Sequence, residues 1–154
     1  STPMSASGGS GEPRQFVAAL ALGADGVNMG TRFMATKEAP IHDKVKQRLV
    51  EADERDTDLI FRTMRNTSRI ARNAISKQVL EMEREGKTIQ EIGPLVAGVR
   101  GKVVYETGDL DHGVWSAGMV QGLIHDVPSC KELIDRFISE AKKIIEGRLK
   151  PMAA

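Results

Sequence analysis

The sequence is poor in cysteine and in aromatic residues. Cys130 is the single cysteine, so no internal disulfide and no cysteine-rich metal site can form, which fits a reducing compartment. With one Trp, one Tyr and four Phe, the core must be built mainly from aliphatic side chains and methionine. Charge of one sign is missing too. The 22 Lys and Arg nearly balance the 21 Asp and Glu, leaving +1. That balance gives no electrostatic argument for nucleic acid, a membrane surface or an acidic partner. No apolar run approaches the roughly 20 residues of a bilayer span, and no secretory signal stands at the start. The expectation is a cytoplasmic protein with no membrane and no nucleic-acid partner.

The 154 residues that remain are enough for one real core, burying roughly 70% of the unfolded surface. The stretch Ala18-Ala-Leu-Ala-Leu-Gly-Ala-Asp-Gly-Val-Asn-Met-Gly-Thr-Arg-Phe33 organises it. Ala and Leu favour a helix up to Leu22, and Gly23 stands where a left-handed residue ends one. Gly26–Met29 reads as a short buried strand, and Gly30-Thr31 as the turn at its C-terminal end. Upstream, Ser7-Gly8-Gly9-Ser10-Gly11 reads either as a flexible Gly/Ser linker or, the preferred reading, as a glycine-rich loop after a strand at Pro3–Ser7, and Pro13 sits in a first helical turn, where its missing N–H costs nothing. Residues 3–29 therefore form one βαβ unit with parallel strands and a right-handed crossover.

Further on, Ile41, Val45, Leu49 and Ala52 recur at helical spacing. Residues 59–64 read as either a strand or the next helix, with a short strand the preferred reading. Ile75, Val79 and Met82 mark another helix, and the Thr88–Glu91 capping box opens a short one containing Gly93-Pro94. Residues 99–113 read as irregular, and Ser116–His125 as a short helix. A second capping box, Ser129–Glu132, opens a long amphipathic helix to about residue 149. Two parallel strands followed mostly by helices do not close a sheet.

The Ser7-Gly-Gly loop together with the stretch from Ala18 to Phe33 resembles the nitronate monooxygenase family, formerly the 2-nitropropane dioxygenases. The similarity continues through Ala35–Pro40, Asn73 and Trp115–Ile124. The resemblance implies an α/β fold: the C-terminal part of a TIM (β/α)8 barrel, comprising its last two strands, with an inserted, mainly helical domain. Residues 1–36 would hold those strands, 37–113 the insertion, and 114–154 helices returning to the barrel. A whole barrel takes about 250 residues, so six strands would lie outside this sequence and the isolated segment is expected to be inactive.

The resemblance also implies FMN as cofactor. Barrel phosphate sites lie in the loops after strands seven and eight, and glycine turns offer close backbone N–H groups to anions. Gly9 and Gly30 are the first candidates for the FMN phosphate, with Gly8 and Thr31 next. Trp115, Met119 and Gln121 are candidates to line the flavin or substrate pocket. The catalytic histidine that the family implies has no match at His42, His112 or His125, and no pair of these has metal-ligand spacing. Arg62, Arg65, Arg69 and Arg72 would form a basic stripe if helical, and they read as a solvated or interdomain face.

The expected activity is an FMN-dependent oxidoreductase that oxidises alkyl nitronates with oxygen, acting on a small-molecule substrate. A homodimer is a further expectation. The alternatives are an NAD(P)H:quinone reductase or flavin-dependent enoyl-reductase on the same scaffold, or a non-catalytic helical interaction domain.

Overall fold

The computed structural model describes residues 2–153. The N-terminal unit is a βαβ crossover. Strand β1 (Ser5–Ser7) pairs in parallel with β2 (Gly26–Asn28), with Ser5 opposite Gly26 and Ser7 opposite Asn28. Helix α1 (Pro13–Ala21) connects them. Its start is locked by Gln15, whose side-chain oxygen accepts from the N–H groups of Gly11 (2.7 Å) and Glu12 (3.2 Å). Gly23 follows at φ +99°, the left-handed value that ends a helix cheaply only at glycine.

After β2 the chain forms the single turn α2 (Thr31–Met34), then α3 (Asp43–Glu51). His42 caps α3, its Nδ1 accepting from the Lys44 N–H at 3.1 Å. Next comes an antiparallel hairpin, β3 (Thr57–Ile60) with β4 (Ser68–Ala71), pairing Thr57 with Ala71 and Ile60 with Ser68. Helix α4 (Ala74–Arg84) opens on an Asn73–Ser76 capping box, and α5 (Ile89–Val96) on the Thr88–Glu91 box. Helix α6 (Gly98–Thr107) ends at Gly108, φ +72°. A 3₁₀ turn spans Met119–Leu123. Helix α7 (Cys130–Ile144), opened by the Ser129–Glu132 box, continues through a π-helical turn, Ile145–Leu149.

Several expectations change. The strand foreseen at 59–64 is β3, which stops at Ile60, and its partner β4 had no signal strong enough to be read. The region between α3 and α4 is thus a hairpin inside an otherwise helical stretch. Its turn is built on left-handed Phe61 (φ +61°) and Arg65 (φ +54°). The buried Glu83 carboxylate holds it, accepting from the Phe61 N–H (2.9 Å) and the Thr63 hydroxyl (2.8 Å). Arg62, Arg65, Arg69 and Arg72 therefore share no helix.

Residues 99–113 are helical as far as Thr107 rather than irregular. The glycines that suggested irregularity serve close approach. A Cβ on Gly101 would stand 2.7 Å from the Val114 carbonyl oxygen, and one on Gly113 2.7 Å from the Arg100 carbonyl carbon. Ser116–His125 is extended around its 3₁₀ turn and not an α-helix.

Two apolar clusters hold these elements. One joins Ala35, Val45, Leu49, Val104, Trp115 and Ile124, drawing on both sides of positions 36 and 113. The other joins Ile60, Ile70, Val79 and Ile92. Helix α1 packs on α7, with the Phe16 and Phe137 ring centres 6.5 Å apart.

Candidate functional site

The parallel pairing brings the C-terminal ends of β1 and β2 side by side. The Gly8 N–H donates to the Asn28 carbonyl at 3.1 Å, and the Asn28 side-chain amide reaches the Ser7 hydroxyl at 3.3 Å. The loop after β1 and the turn after β2 are thus neighbours. Gly8 (φ +81°) and Gly9 (φ +72°) both lie in the left-handed region, with open space where a Cβ would stand. Two such residues in succession turn the backbone sharply, which only glycine does without strain.

The four sequence candidates differ in what they offer. The Gly8 N–H is engaged by Asn28. No protein acceptor among the described residues pairs with the N–H of Gly9 or Gly30. Gly30 has an ordinary φ of −90° and also faces open space. The Thr31 hydroxyl accepts from the Gly118 N–H at 2.9 Å, so the 3₁₀ segment is tied to the second turn. A Cβ on Gly118 would come 3.3 Å from that hydroxyl oxygen, and Gly11 lies directly against the Val120 side chain.

A cleft of about 520 Å³ opens there, walled by Gly9, Gly118, Met119, Leu123, Glu54 and Arg69. Of the three residues expected to line a pocket, Met119 is half exposed at this wall. Trp115 is instead buried in the first cluster, and Gln121 is buried with its amide donating to the Asp53 carbonyl at 2.9 Å. Both serve packing and loop anchoring.

Arg32 escaped the sequence reading. Its side chain is buried, with Nη2 donating to the carbonyls of Ala35 (3.0 Å) and Asp126 (2.9 Å) and Nη1 3.3 Å from the Asp126 carboxylate. Burial lowers the affinity of this guanidinium for its proton, and Asp126 restores part of it. Asp126 is itself held below the usual carboxylate range, first by Arg136 at 2.7 Å and then by Arg32. The available signal was an arginine set directly before the apolar Phe33-Met34-Ala35. The histidines lie apart from one another in role: His42 caps α3 and His112 sits 3.6 Å from Asp109. Among the described residues no three His, Cys, Asp or Glu converge as a metal site, and no helix is long and apolar enough to cross a membrane.

The sequence profile of the nitronate monooxygenase family matches residues 1–140. The chain belongs to that family. It is 32% identical to an octahydroindene carboxyl-CoA dehydrogenase of Rhodococcus jostii, over 94% of this chain and 51% of that protein. It is 31% identical to a probable nitronate monooxygenase of Bacillus subtilis, over 94% of this chain and 41% of that one. Among solved structures, FabK from Thermotoga maritima superposes with a TM-score of 0.88 at 31% identity, covering 96% of this chain and 46% of FabK. The chain spans about half the length of the curated relatives it matches.

The glycine turns suit the phosphate of a flavin. Among the described residues the N–H groups of Gly9 and Gly30 have no protein acceptor, and no atom lies within 4 Å of where a Cβ would stand at either residue. The donor set is neutral and backbone-based, as anion-binding turns are.

Proposed function

We propose that this chain is part of a flavin-dependent oxidoreductase, with β1 and β2 as the seventh and eighth strands of its barrel. Gly9 and Gly30 donate to the FMN phosphate. Gly8 supplies the backbone curvature, and Thr31 fixes the second turn against Gly118. The observation that carries this reading is the pair of open glycine turns held side by side by the parallel register and the Gly8–Asn28 bond.

A bound flavin supplies two-electron redox chemistry, and the protein contributes position and exclusion of competing reactions. The substrate we favour is an alkyl nitronate oxidised with oxygen, in keeping with the family. The dehydrogenase names of the Rhodococcus relative and of a second one from Mycobacterium tuberculosis favour a nicotinamide-linked reaction as the other reading. The test is a titration of the purified chain with FMN, followed by absorbance and flavin fluorescence quenching. Saturable binding near one FMN per chain is expected. A folded chain that leaves FMN fluorescence unchanged would overturn the assignment. In a protein that joins this chain to the remaining barrel strands, anaerobic bleaching by a nitronate but not by NADH or NADPH selects the first chemistry, and the reverse selects the second.

A further inference from the structure

The β3–β4 hairpin separates two environments. Ile60 and Ile70 lie in the second apolar cluster, whereas Ala71 belongs to the first. Arg69 shares the Ala71 face, since alternate strand residues point the same way. It is half-buried, and its Nη1 donates to the Thr57 hydroxyl at 2.6 Å. Neighbouring arginines engage carboxylates: Arg48 meets Asp56 at 3.5 Å and Arg72 meets Asp58 at 3.1 Å. No carboxylate among the described residues pairs with Arg69. Its guanidinium is oriented by a neutral hydroxyl, with four N–H donors besides the one on Thr57.

Arg69 lines the cleft that Gly9 opens into. On the same wall Met119 and Leu123 are exposed at 50% and 38%, large apolar side chains left open beside a cation. The cleft's acid is Glu54, which sits against Gly122 and lies 3.9 Å from Arg55. A neutral or cationic ligand would leave Arg69 desolvated and unmatched, and burying an unpaired charge is costly.

We propose that Arg69 recognises the anionic head of the molecule that enters this cleft, with Met119 and Leu123 holding its alkyl part. The specificity of the site is then for amphipathic monoanions, and Arg69 is the specificity-determining residue. This rests on the flavin reading in taking the cleft, which Gly9 also lines, as the substrate's; no contact to either glycine turn is needed for it.

Titration calorimetry on the full chain, without flavin, tests it with octanoate, butyrate and octanol as probes. Octanoate should bind more tightly than either of the others. Arg69→Gln should weaken octanoate about tenfold or more, the scale of a lost charge-assisted pair, and leave octanol unchanged. Arg69→Lys should fall between, because it keeps the charge and loses the fork. Met119→Gln should narrow the gap between octanoate and butyrate, and Glu54→Gln should tighten octanoate. Circular dichroism checks each fold. Should Arg69→Gln not fold, the lysine variant and the salt dependence of the unsubstituted chain decide, since added salt should weaken octanoate and spare octanol. Absence of octanoate binding, or equal losses of octanoate and octanol, would overturn the proposal. FMN binding without octanoate binding sinks this inference alone; Arg69-dependent octanoate binding without FMN binding sinks the flavin reading alone.

Discussion

The Thr31 hydroxyl accepts a hydrogen bond from the Gly118 N–H at 2.9 Å, joining the end of β2 to a segment 87 residues later. This bond sets one wall of the cleft against the second glycine turn. Thr31→Val keeps the shape and removes the acceptor, so it should cost about 1 kcal/mol of stability and weaken FMN. Thr31→Ser should restore both. Chemical denaturation and flavin titration check the pair.

Gly9 and Gly30 make a controlled contrast. Alanine at Gly9 must adopt φ +72°, which costs about 1–2 kcal/mol. Alanine at Gly30, with φ −90° and open space around it, should leave the melting temperature nearly unchanged. If its backbone meets the phosphate, Gly30→Ala should still weaken FMN several-fold. Alanine keeps the Gly30 N–H, so a loss of affinity reports a phosphate packed against the Gly30 Cα, and unchanged affinity would show that the phosphate does not lie there.

Asp126 bridges two arginines, Arg32 on one oxygen and Arg136 on the other. Asp126→Asn leaves the buried Arg32 without its counter-charge. The expected loss is about 2 kcal/mol, less than the 3–5 of a fully buried pair, because the Asp126 side chain is 42% exposed. Thermal melts of the variant and the parent chain should differ at neutral pH. The gap should close on acidification, since the depressed carboxylate stabilises the fold above its ordinary pKa and ceases to as it is protonated.

Glu132 gives a sharper pH signature. The Ser129 N–H and hydroxyl, at 2.7 and 2.9 Å, pull its pKa from 4.5 down to about 2. Its contribution is therefore complete above pH 4.5 and lost as the pH falls toward 2. Glu132→Gln should lower stability at pH 6, and the difference from the parent should shrink steadily between pH 4.5 and 2. Melting temperatures followed across that range test the sign.

Local signals were legible where the chain satisfies its own backbone. Gly23, the Thr88–Glu91 box and the Ser129–Glu132 box each mark a helix end through contacts a few residues long, and each stands where the residues indicated. Long-range contacts were not legible. Strand β4 exists because Ile70 reaches Ile60 and Val79 across the second cluster. Helix α6 holds despite its glycines because Gly101 and Gly113 let two backbones touch. Of the candidate site, the glycine turns could be named from sequence, but that the Gly8 N–H is engaged by Asn28 while Gly9 stays open could not.

By itself the sequence determined the βαβ unit, its two glycine turns and the family they resemble. Those features depend on helix caps, left-handed glycines and short apolar runs, whose physics is local. Only the tertiary structure decided that Arg69 shares a cleft with Gly9 and that Trp115 and Gln121 are interior. Arg69 reaches the cleft because β3 pairs with β4 in one register, and register is set by which face the packed clusters bury.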